Sequence, residues 1–354
     1  MSKKAITFVI ICSLVLGAFG SWIFQRFIIP KLNTVPFLVR YNLAPKSGPL
    51  VINTREEIRV NEGSDTIAAI QQVQPWTVAL LSGNEVAAGG LILTSDGLIA
   101  TTAAVQNKPQ LTVKLMDGTL VQNAKVVAAD PASPLVFVKI DASRLPTASF
   151  GNPNDLQLSQ RMIALLPSIG ENQSQDAVAY LTGLLRDNDY NAVFSSERLA
   201  RTFSIAAFKN LPEGSVILDA TGSVQGLYSG SGIIPANVIS DALSSYFNNS
   251  SKIVRNQLGI NYQYIPKVLA AANAEKQGIV LKRSDKPAVL PGSPAQKAGL
   301  LEGDIIYAVD DTQIDLNNNF ETLLSRRKPG DTVKFSVQRG KDLKTINVVL
   351  GISQ

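Results

Sequence analysis

Short apolar runs bounded by turn residues recur at nearly even spacing between positions 87 and about 245. The clearest pair lies in AAGGLILTSDGLIATTAAV (Ala87–Val105), which predicts a hairpin with Asp96-Gly97 as its two-residue turn. Many short strands at such spacing are typical of an all-β sandwich or barrel. We therefore expect a mainly β domain over this part of the chain.

Two stretches have helical spacing instead. Ser64 and Asp65 form an N-cap signal for a short helix through Val73, and residues 234–246 (IPANVISDALSSY) are expected to form a helix that closes the β domain. Residues 26–63 lack a sustained period and contain four prolines, so we interpret them as a stalk, with one edge strand over 49–60.

Residues 5–25 carry no charge, and as a helix they would extend about 31 Å, close to the thickness of a bilayer core. Lys3 and Lys4 precede this run, so the positive-inside rule keeps residues 1–4 in the cytoplasm and places the rest of the chain outside it. The alternative is a signal peptide cleaved near Ala18-Phe19-Gly20. The apolar run continues through Phe24, which favours an uncleaved transmembrane anchor.

A second pattern begins at Gln257. Its most informative part is GSPAQKAGLLEGDIIYAVDDTQI (Gly292–Ile314), where Ser293 precedes a short helix and Gly299 is expected to end it in a left-handed conformation. This stretch resembles a bacterial PDZ domain, which we expect over 257–354 after a polar linker over 248–256.

The composition of the chain argues against several classes of function. The 354 residues have room for two domains, and the net charge of +5 is not clustered, so nucleic acid is not an indicated partner. The chain contains no histidine, and its one cysteine, Cys12, lies in the N-terminal apolar run. Zinc therefore loses its usual ligands, and we expect neither a metal nor a cofactor.

The Ala87–Val105 hairpin resembles the trypsin-like HtrA (Deg) serine peptidases, in which a G-S-G strand, a D-G turn and an I-L-T-N-x-H-V strand deliver the catalytic histidine. With the PDZ motif, the resemblance extends from about Ile67 to Leu350. It implies a mainly β fold, with a trypsin-like double six-stranded β-barrel over 64–247 followed by an α+β PDZ domain. A bacterial envelope protein follows from the same resemblance.

The resemblance also implies where a catalytic triad would lie. The histidine position is Ala104, the aspartate position is Pro134, and the serine position of G-N-S-G-G is Glu213. A serine peptidase needs a hydroxyl, a base, a group orienting that base and donors for the oxyanion. We therefore predict a degenerate triad without peptidase activity.

Two rescues of catalysis remain as alternatives. Ser215 and Lys209 are close enough in sequence for a Ser-Lys dyad. Glu213 paired with Asp130 or Asp219 would suggest acid-base hydrolysis. Ser215 as a turn hydroxyl and the others as solvated charges are the simpler interpretations.

A PDZ domain adds a peptide C-terminus as a strand and holds its carboxylate on backbone N–H groups. The matching carboxylate loop is Gln257–Ile260, where Leu258 and Ile260 are expected to line the pocket, Gly259 permits close approach, and Asn261 follows. The other wall is expected on a helix over 316–326, through Phe320, Leu323 and Leu324. These three are equally expected as plain core residues.

The function expected from these features is a membrane-anchored, extracytoplasmic pseudoprotease that binds peptide C-termini or unfolded protein, in quality control or as a scaffold. The family commonly trimerises, so a homotrimer or a mixed oligomer with an active paralogue is expected, with residues 65–73 as a candidate contact. One alternative is an active HtrA-type endopeptidase. Another is an envelope structural protein, whose carboxylate loop would be occluded.

Overall fold

The computed structural model describes residues 2–28, 62–168, 175–183, 192–198, 202–207, 210–230, 232–273, 275–315 and 318–353. They belong to two units, residues 1–60 and 61–354, each considered by itself below. Most of the predicted stalk, including its edge strand over 49–60, lies outside the described residues.

The first unit contains one long apolar helix. Helix α1 (Lys3–Ile23) begins after Ser2, whose hydroxyl accepts a hydrogen bond from the backbone of Ala5, and a π-helical turn over Phe24–Ile28 follows it. The mean hydropathy of its most apolar window is 2.2, so by length and composition this helix can cross a membrane. The predicted N-terminal apolar helix is confirmed.

The second unit begins with helix α2 (Glu62–Val73) and a closed barrel of six antiparallel strands in the order β1-β2-β3-β6-β5-β4. Their bounds are β1 Thr77–Ser82, β2 Glu85–Ile92, β3 Leu98–Thr102, β4 Leu111–Lys114, β5 Leu120–Ala129 and β6 Leu135–Lys139. Strand β3 is buried along its whole length, as expected for a strand between two packed faces.

The β2–β3 turn differs from the two-residue Asp96-Gly97 turn expected from sequence. The backbone N–H of Leu93 donates to the carbonyl of Leu98 at 2.7 Å, so the loop contains four residues. Thr94 explains the difference, because its hydroxyl accepts from the N–H of Leu98 at 3.0 Å and contacts the carboxylate of Asp96. These side-chain contacts stabilise the longer loop.

A second six-stranded sheet follows in the order β10-β8-β7-β11-β12-β13. Its strands are β7 Arg161–Leu166, β8 Gln175–Gly183, β10 Ser204–Ala207, β11 Val216–Asp219, β12 Val224–Ser229 and β13 Gly232–Pro235. Helix α3 (Ala236–Asn248) closes this half, as expected. One buried cluster joins Phe137 of the first barrel to Val216 and Ile239 of the second half, so the core lies between the two halves.

The PDZ domain contains a third sheet, in the order β20-β19-β17-β16-β15-β9, where β9 is Phe194–Ser195 and β18 lies beside β17. Its strands are β15 Asn261–Ile265, β16 Gly278–Leu281, β17 Ile305–Val309, β18 Thr312–Gln313, β19 Thr332–Arg339 and β20 Asp342–Val349, and β14 (Arg255–Gln257) pairs separately with β21 (Gly351–Ser353). Its helices are α4 Lys267–Ala272, α5 Pro294–Lys297 and α6 Phe320–Ser325. The mainly β fold with barrels and a PDZ domain is confirmed.

The motif that predicted the PDZ domain forms as expected. Ser293 caps α5 by accepting from the N–H of Gln296 at 3.2 Å, and Gly299 follows with a φ of 84°. Asp304 is buried and binds the guanidinium of Arg339 through both oxygens, at 2.6 and 2.7 Å. This pair ties the turn before β17 to β19.

The edge strand β9 (Phe194–Ser195) was not expected in this sheet. In sequence it falls within the trypsin-like region, between β8 and β10, yet it pairs antiparallel with β15 of the PDZ domain. The PDZ sheet therefore includes one strand that comes from outside the PDZ domain.

Candidate functional site

The predicted histidine position lies in a short helical turn directly after the buried strand β3. Ala104 is the middle residue of the 3-10 turn Ala103–Val105 and is partly buried against the first barrel's core. The backbone N–H of Ala103 donates to the carbonyl of Pro134 at 2.7 Å. The structure therefore brings the predicted histidine and aspartate positions together, and both side chains there are hydrocarbon.

The predicted serine position lies in the turn Leu211–Ser215, called the Glu213 turn below. The carbonyl of Glu213 accepts from the N–H of Gly89 at 2.8 Å. The next residue, Gly214, has a φ of 74°, and a Cβ there would lie 2.1 Å from the carbonyl oxygen of Gly89. Only glycine fits this approach, so the backbone of the turn is fixed against β2.

Hydrogen bonds link the Glu213 turn to β2 and, through it, to β3. The carbonyl of Gly89, whose N–H binds Glu213, accepts from the hydroxyl of Thr101 at 2.7 Å, and Thr101 lies three residues before Ala104. The turn that contains Glu213 is therefore tied through β2 to β3, the strand that leads to Ala104. None of the side chains at the three predicted triad positions carries a hydroxyl, so none of them supplies a nucleophile.

The Glu213 side chain is half-buried, and its Oε1 accepts from the backbone N–H of Gly230 at 2.7 Å. Ser215 is fully buried and donates its hydroxyl to the carbonyl of Pro212 at 2.7 Å. This contact occupies the Ser215 proton within the turn, which is the arrangement of a turn hydroxyl. Lys209, the other member of the suggested dyad, lies outside the described residues.

The two aspartates considered as partners of Glu213 have other partners. Asp130 is fully buried at its side chain and accepts from Arg255 at 2.8 and 3.0 Å and from the hydroxyl of Ser133 at 2.7 Å. Asp219 accepts from Thr221 in the adjoining turn and from Gln225 of β12. The suggested acid-base pairs with Glu213 do not form.

The carboxylate loop of the PDZ domain has its carbonyls tied inward. The carbonyl of Leu258 accepts from the N–H of Ala295 at 3.0 Å, and the carbonyl of Gly259 accepts from the N–H of Leu290 at 2.9 Å. Gly259 has a φ of 81°, and a Cβ there would lie 2.2 Å from the Cβ of Ser293. This conformation directs the loop N–H groups toward the groove beside β15.

Those N–H groups hold a carboxylate. Oε1 of Glu197 accepts from the N–H of Leu258 at 3.1 Å and from the N–H of Gly259 at 2.6 Å. The N–H of Ile260, the third loop donor, binds the hydroxyl of Ser196 at 3.0 Å. The segment Val193–Glu197, called the groove segment below, therefore lies along the predicted peptide-binding edge.

The remaining predicted groove residues are part of the PDZ core. Phe320, Leu323 and Leu324 are buried together with Leu258 and Ile260. Helix α6 begins at Phe320, four residues later than expected, because Asn319 caps it by accepting from the N–H of Thr322 at 3.0 Å. Residues 316–317, where the helix was expected to begin, lie outside the described residues.

Asn261 is in β15, where it lies opposite Ser195 of the groove segment. Its side chain is buried, and its amide donates to the carbonyl of Pro287 at 2.7 Å. In this arrangement the backbone of Asn261 borders the groove, while its side chain fixes a neighbouring loop.

Three functional residues were not predicted from sequence. Glu197 lies more than 60 residues before the carboxylate loop that it contacts, and Phe194 lies as far before its partner Tyr262 in β15, so no spacing rule connects them. Glu321 of α6 accepts from the hydroxyls of both Tyr262 and Tyr264 of β15. Burial, and then the negative charge of Glu321, raise the pKa of Tyr262 well above its ordinary value of 10.0.

A cavity of about 510 Å³ lies between the trypsin-like and PDZ domains. Its lining includes Pro134 at the predicted aspartate position, Phe194 of the groove segment and Asn261 of the PDZ domain. The groove segment therefore borders both the PDZ edge and the region of the predicted triad. Among the described residues, no group of three acidic, cysteine or histidine side chains is arranged to hold a metal.

Comparison with known proteins finds matches to both the trypsin-like domain and the PDZ domain. A model of the trypsin-like peptidase domain matches residues 81–237, and a PDZ domain model matches residues 268–350. A "Probable periplasmic serine endoprotease DegP-like" from Halomonas elongata is 28% identical over 274 residues, which are 74% of this chain and 56% of that protein. The protein of the same name from Pseudomonas fulva is 29% identical over 278 residues, covering 74% and 55%.

The chain thus spans little more than half the length of the curated relatives that it matches. Among solved structures, the HtrA-type protease AlgW with a decapeptide superposes with a TM-score of 0.60 at 18% identity, covering 82% of this chain and 99% of that one. AlgW with a tripeptide gives a TM-score of 0.60 at 21% identity, covering 82% and 97%. This likeness shows the fold.

Proposed function

From the premise that this chain is homologous to the DegP/HtrA serine endoproteases and carries a trypsin-like peptidase domain followed by a PDZ domain, we propose that it is a pseudoprotease. It binds polypeptide C-termini or unfolded segments through the PDZ groove and does not cleave them. It is anchored in a bacterial cytoplasmic membrane by α1, with its domains outside the cytoplasm.

The observation that carries the binding role is the pair of loop N–H groups that converge on one carboxylate oxygen. Leu258 and Gly259 donate to Glu197 at 3.1 and 2.6 Å. Hydrogen bonds from backbone N–H groups to a carboxylate are charge-assisted and stronger than those between neutral groups. A peptide C-terminus presents the same carboxylate chemistry, and PDZ domains bind it at such a loop. A loop occupied by Glu197 is also what the alternative of an envelope structural protein predicts, and the peptide array described below separates the two.

The absence of peptidase activity is inferred from the residues at the three predicted triad positions. Ala104 cannot accept a proton, Pro134 cannot orient a base, and Glu213 places a carboxylate where negative charge would develop on the substrate. Ser215 is buried and engaged with Pro212, which argues against a substitute nucleophile. Homology to named endoproteases favours the alternative of an active enzyme, and the test below separates the two.

Membrane anchoring and location are supported by α1 and by relatives named as periplasmic. With residues 1–4 in the cytoplasm, the barrels and the PDZ domain would face the periplasm or the cell exterior. In that compartment, a non-cleaving binder would act in protein quality control or as a scaffold. It would do so as a homotrimer or in a mixed oligomer with an active paralogue.

The test uses the full chain in detergent micelles. A serine-reactive phosphonate and β-casein are offered to it, with an active HtrA-type enzyme as positive control. We expect no labelling and no casein fragments. Labelling that the Ser215→Ala variant abolishes would identify an active endopeptidase and overturn the pseudoprotease assignment.

Peptide binding is tested separately with an array of peptides that carry either free or amidated C-termini. We expect retention only of the free carboxylates, because an amide removes the charge that the loop N–H groups recognise. Equal retention of both forms would overturn the assigned role of the carboxylate loop.

A further inference from the structure

We propose that the groove segment is an intramolecular ligand of the PDZ domain, so that a free C-terminus binds only after displacing it. This inference rests on the proposed binding function and adds its regulation. The occupant is a named segment of this chain, residues 193–197, and the trypsin-like region supplies it.

The backbone of the groove segment occupies the position of an added strand. Phe194 lies opposite Tyr262 and Ser195 lies opposite Asn261 in antiparallel register. The N–H of Ser196 donates to the carbonyl of Ile260 at 2.9 Å, which extends the ladder toward the carboxylate loop. The segment therefore runs in the direction of a peptide whose C-terminus enters that loop.

The side chain of Glu197 supplies the carboxylate that a peptide would supply from its last residue. It is half-buried, and its Oε1 accepts from two loop N–H groups while lying 2.9 Å from the hydroxyl of Ser196. The chain then continues past Glu197, so no terminus is needed. The Glu197 side chain thus accepts the hydrogen bonds of loop N–H groups that would otherwise be available to a free C-terminal carboxylate.

Phe194 provides the apolar contact. Its side chain is 9% exposed, and its ring lies 6.0 Å from the ring of Tyr262 and 6.1 Å from that of Tyr264, measured between centroids. Offset and edge-on pairs at these distances are attractive beyond the area that they bury. Phe194 belongs to the PDZ core cluster although it comes from the other domain.

Covalent attachment makes this occupant a strong competitor. A tethered ligand on a short linker acts at an effective concentration of about millimolar. If it fills the groove nine-tenths of the time, a free peptide binds about tenfold more weakly than to the open groove. Removing the contacts of Phe194 and Glu197 should therefore raise the affinity for a free peptide about tenfold.

The first experiment measures whether the groove segment is docked. In a full-length Cys12→Ser background, Ser195→Cys is combined with Asn261→Cys, because these positions are paired. The matched control combines Ser195→Cys with Lys344→Cys on β20, the opposite edge of the sheet. We expect a disulfide in the first pair only; its formation at no more than the control rate would overturn the inference.

The second experiment measures displacement with a fluorescent peptide, GGAVFSV, ending in a free carboxylate. The opened variant, Phe194→Ala with Glu197→Gln, should bind it about tenfold more tightly than the unchanged chain. Glu197→Gln alone, which conserves shape, should give a smaller gain, and the exposed Glu85→Gln should give none. Measurable binding with equal affinity in the unchanged chain and in the opened variant would overturn the inference.

The two experiments also separate failure of this inference from failure of the proposed function. If the disulfide forms but even the opened variant does not bind the peptide, the proposed C-terminus binding is overturned and the docked segment stands. If the peptide binds equally to all variants and the disulfide does not form, the inference is overturned and the proposed function stands.

Discussion

The Glu213 turn and the carboxylate loop both hold a glutamate carboxylate on backbone N–H groups, but with opposite consequences. At the turn, one N–H, from Gly230, binds Glu213 at the position where the family places its nucleophile. At the loop, two N–H groups bind Glu197 where a ligand's carboxylate belongs. In our proposal, the Glu213 carboxylate stands where catalysis has been lost, whereas the Glu197 carboxylate occupies a loop that still binds carboxylates.

This difference separates two kinds of functional group. The donors of the carboxylate loop are backbone groups, held by the same bonds that build the domain, so they persist with the fold. A catalytic triad depends on three side chains, each of which a single substitution removes while the strands remain. A fold can therefore survive the loss of catalysis more easily than the loss of a backbone binding site.

The largest expected effects come from the two glycines that shape these turns. Gly214→Ala and Gly259→Ala each place a Cβ within about 2 Å of other atoms at a positive φ, and each should lower the free energy of unfolding by about 2–5 kcal/mol. Chemical denaturation followed by two domain-specific probes measures this. Gly259→Ala should also abolish peptide binding; if Gly214→Ala does so equally, the comparison between the sites fails.

Two buried carboxylates give the next effect. Asp304→Asn weakens the pair with Arg339 inside the PDZ domain, and Asp130→Asn weakens the pair with Arg255 at the trypsin-like domain. Each should cost about 1.5–3 kcal/mol, since each removes a charged acceptor from a buried site. Calorimetry should show the loss in the PDZ transition for Asp304→Asn; an unchanged PDZ transition would contradict this assignment.

A smaller effect on the free energy of unfolding is expected at alkaline pH, where the hydroxyl of Tyr262 loses its proton. Its pKa is raised in the folded state, so above about pH 10 the unfolded chain loses this proton before the folded chain does. The stabilisation is complete below pH 10 and falls as pH rises, by about 1.4 kcal/mol for each pH unit. The free energy of unfolding, measured with urea at pH 9 and 11, should fall less between these pH values for Tyr262→Phe than for the unchanged chain. An equal fall in both proteins would refute the prediction.

The smallest expected effect is that of restoring the hydroxyl alone. Glu213→Ser should remain without peptidase activity, because Ala104 and Pro134 still provide no base and no orienting group. Phosphonate labelling and casein turnover measure it. Activity gained from this single change would show that a base outside the three predicted triad positions is present.

Much of this arrangement was predictable from local patterns. The two apolar runs over 87–105 predicted the barrel hairpin, and the pattern around Ser293 and Gly299 predicted the PDZ turn, because capping and left-handed glycines act over a few residues. The four-residue loop at Thr94 was missed because its hydroxyl contacts override the simple Asp-Gly rule. Helix α6 begins late for the same kind of reason, an Asn319 cap.

The contact of the groove segment with the PDZ domain could not be predicted, since it joins residues 61 and 62 positions apart that share no periodic pattern. The sequence around Glu197 is a short polar stretch typical of a loop. The proximity of Ala104 and Pro134, where the N–H of Ala103 donates to the carbonyl of Pro134, was expected only through resemblance to a family. Local rules place elements, but pairing between distant segments depends on the tertiary fold.

The most direct test of the account follows binding and cleavage in one sample. The opened variant of the full chain is mixed with the fluorescent GGAVFSV peptide, and its anisotropy and mass are recorded over several hours. We predict a stable raised anisotropy and an intact peptide. A raised anisotropy that decays as peptide fragments appear would contradict the account, because it would show a peptidase where we propose a binding protein.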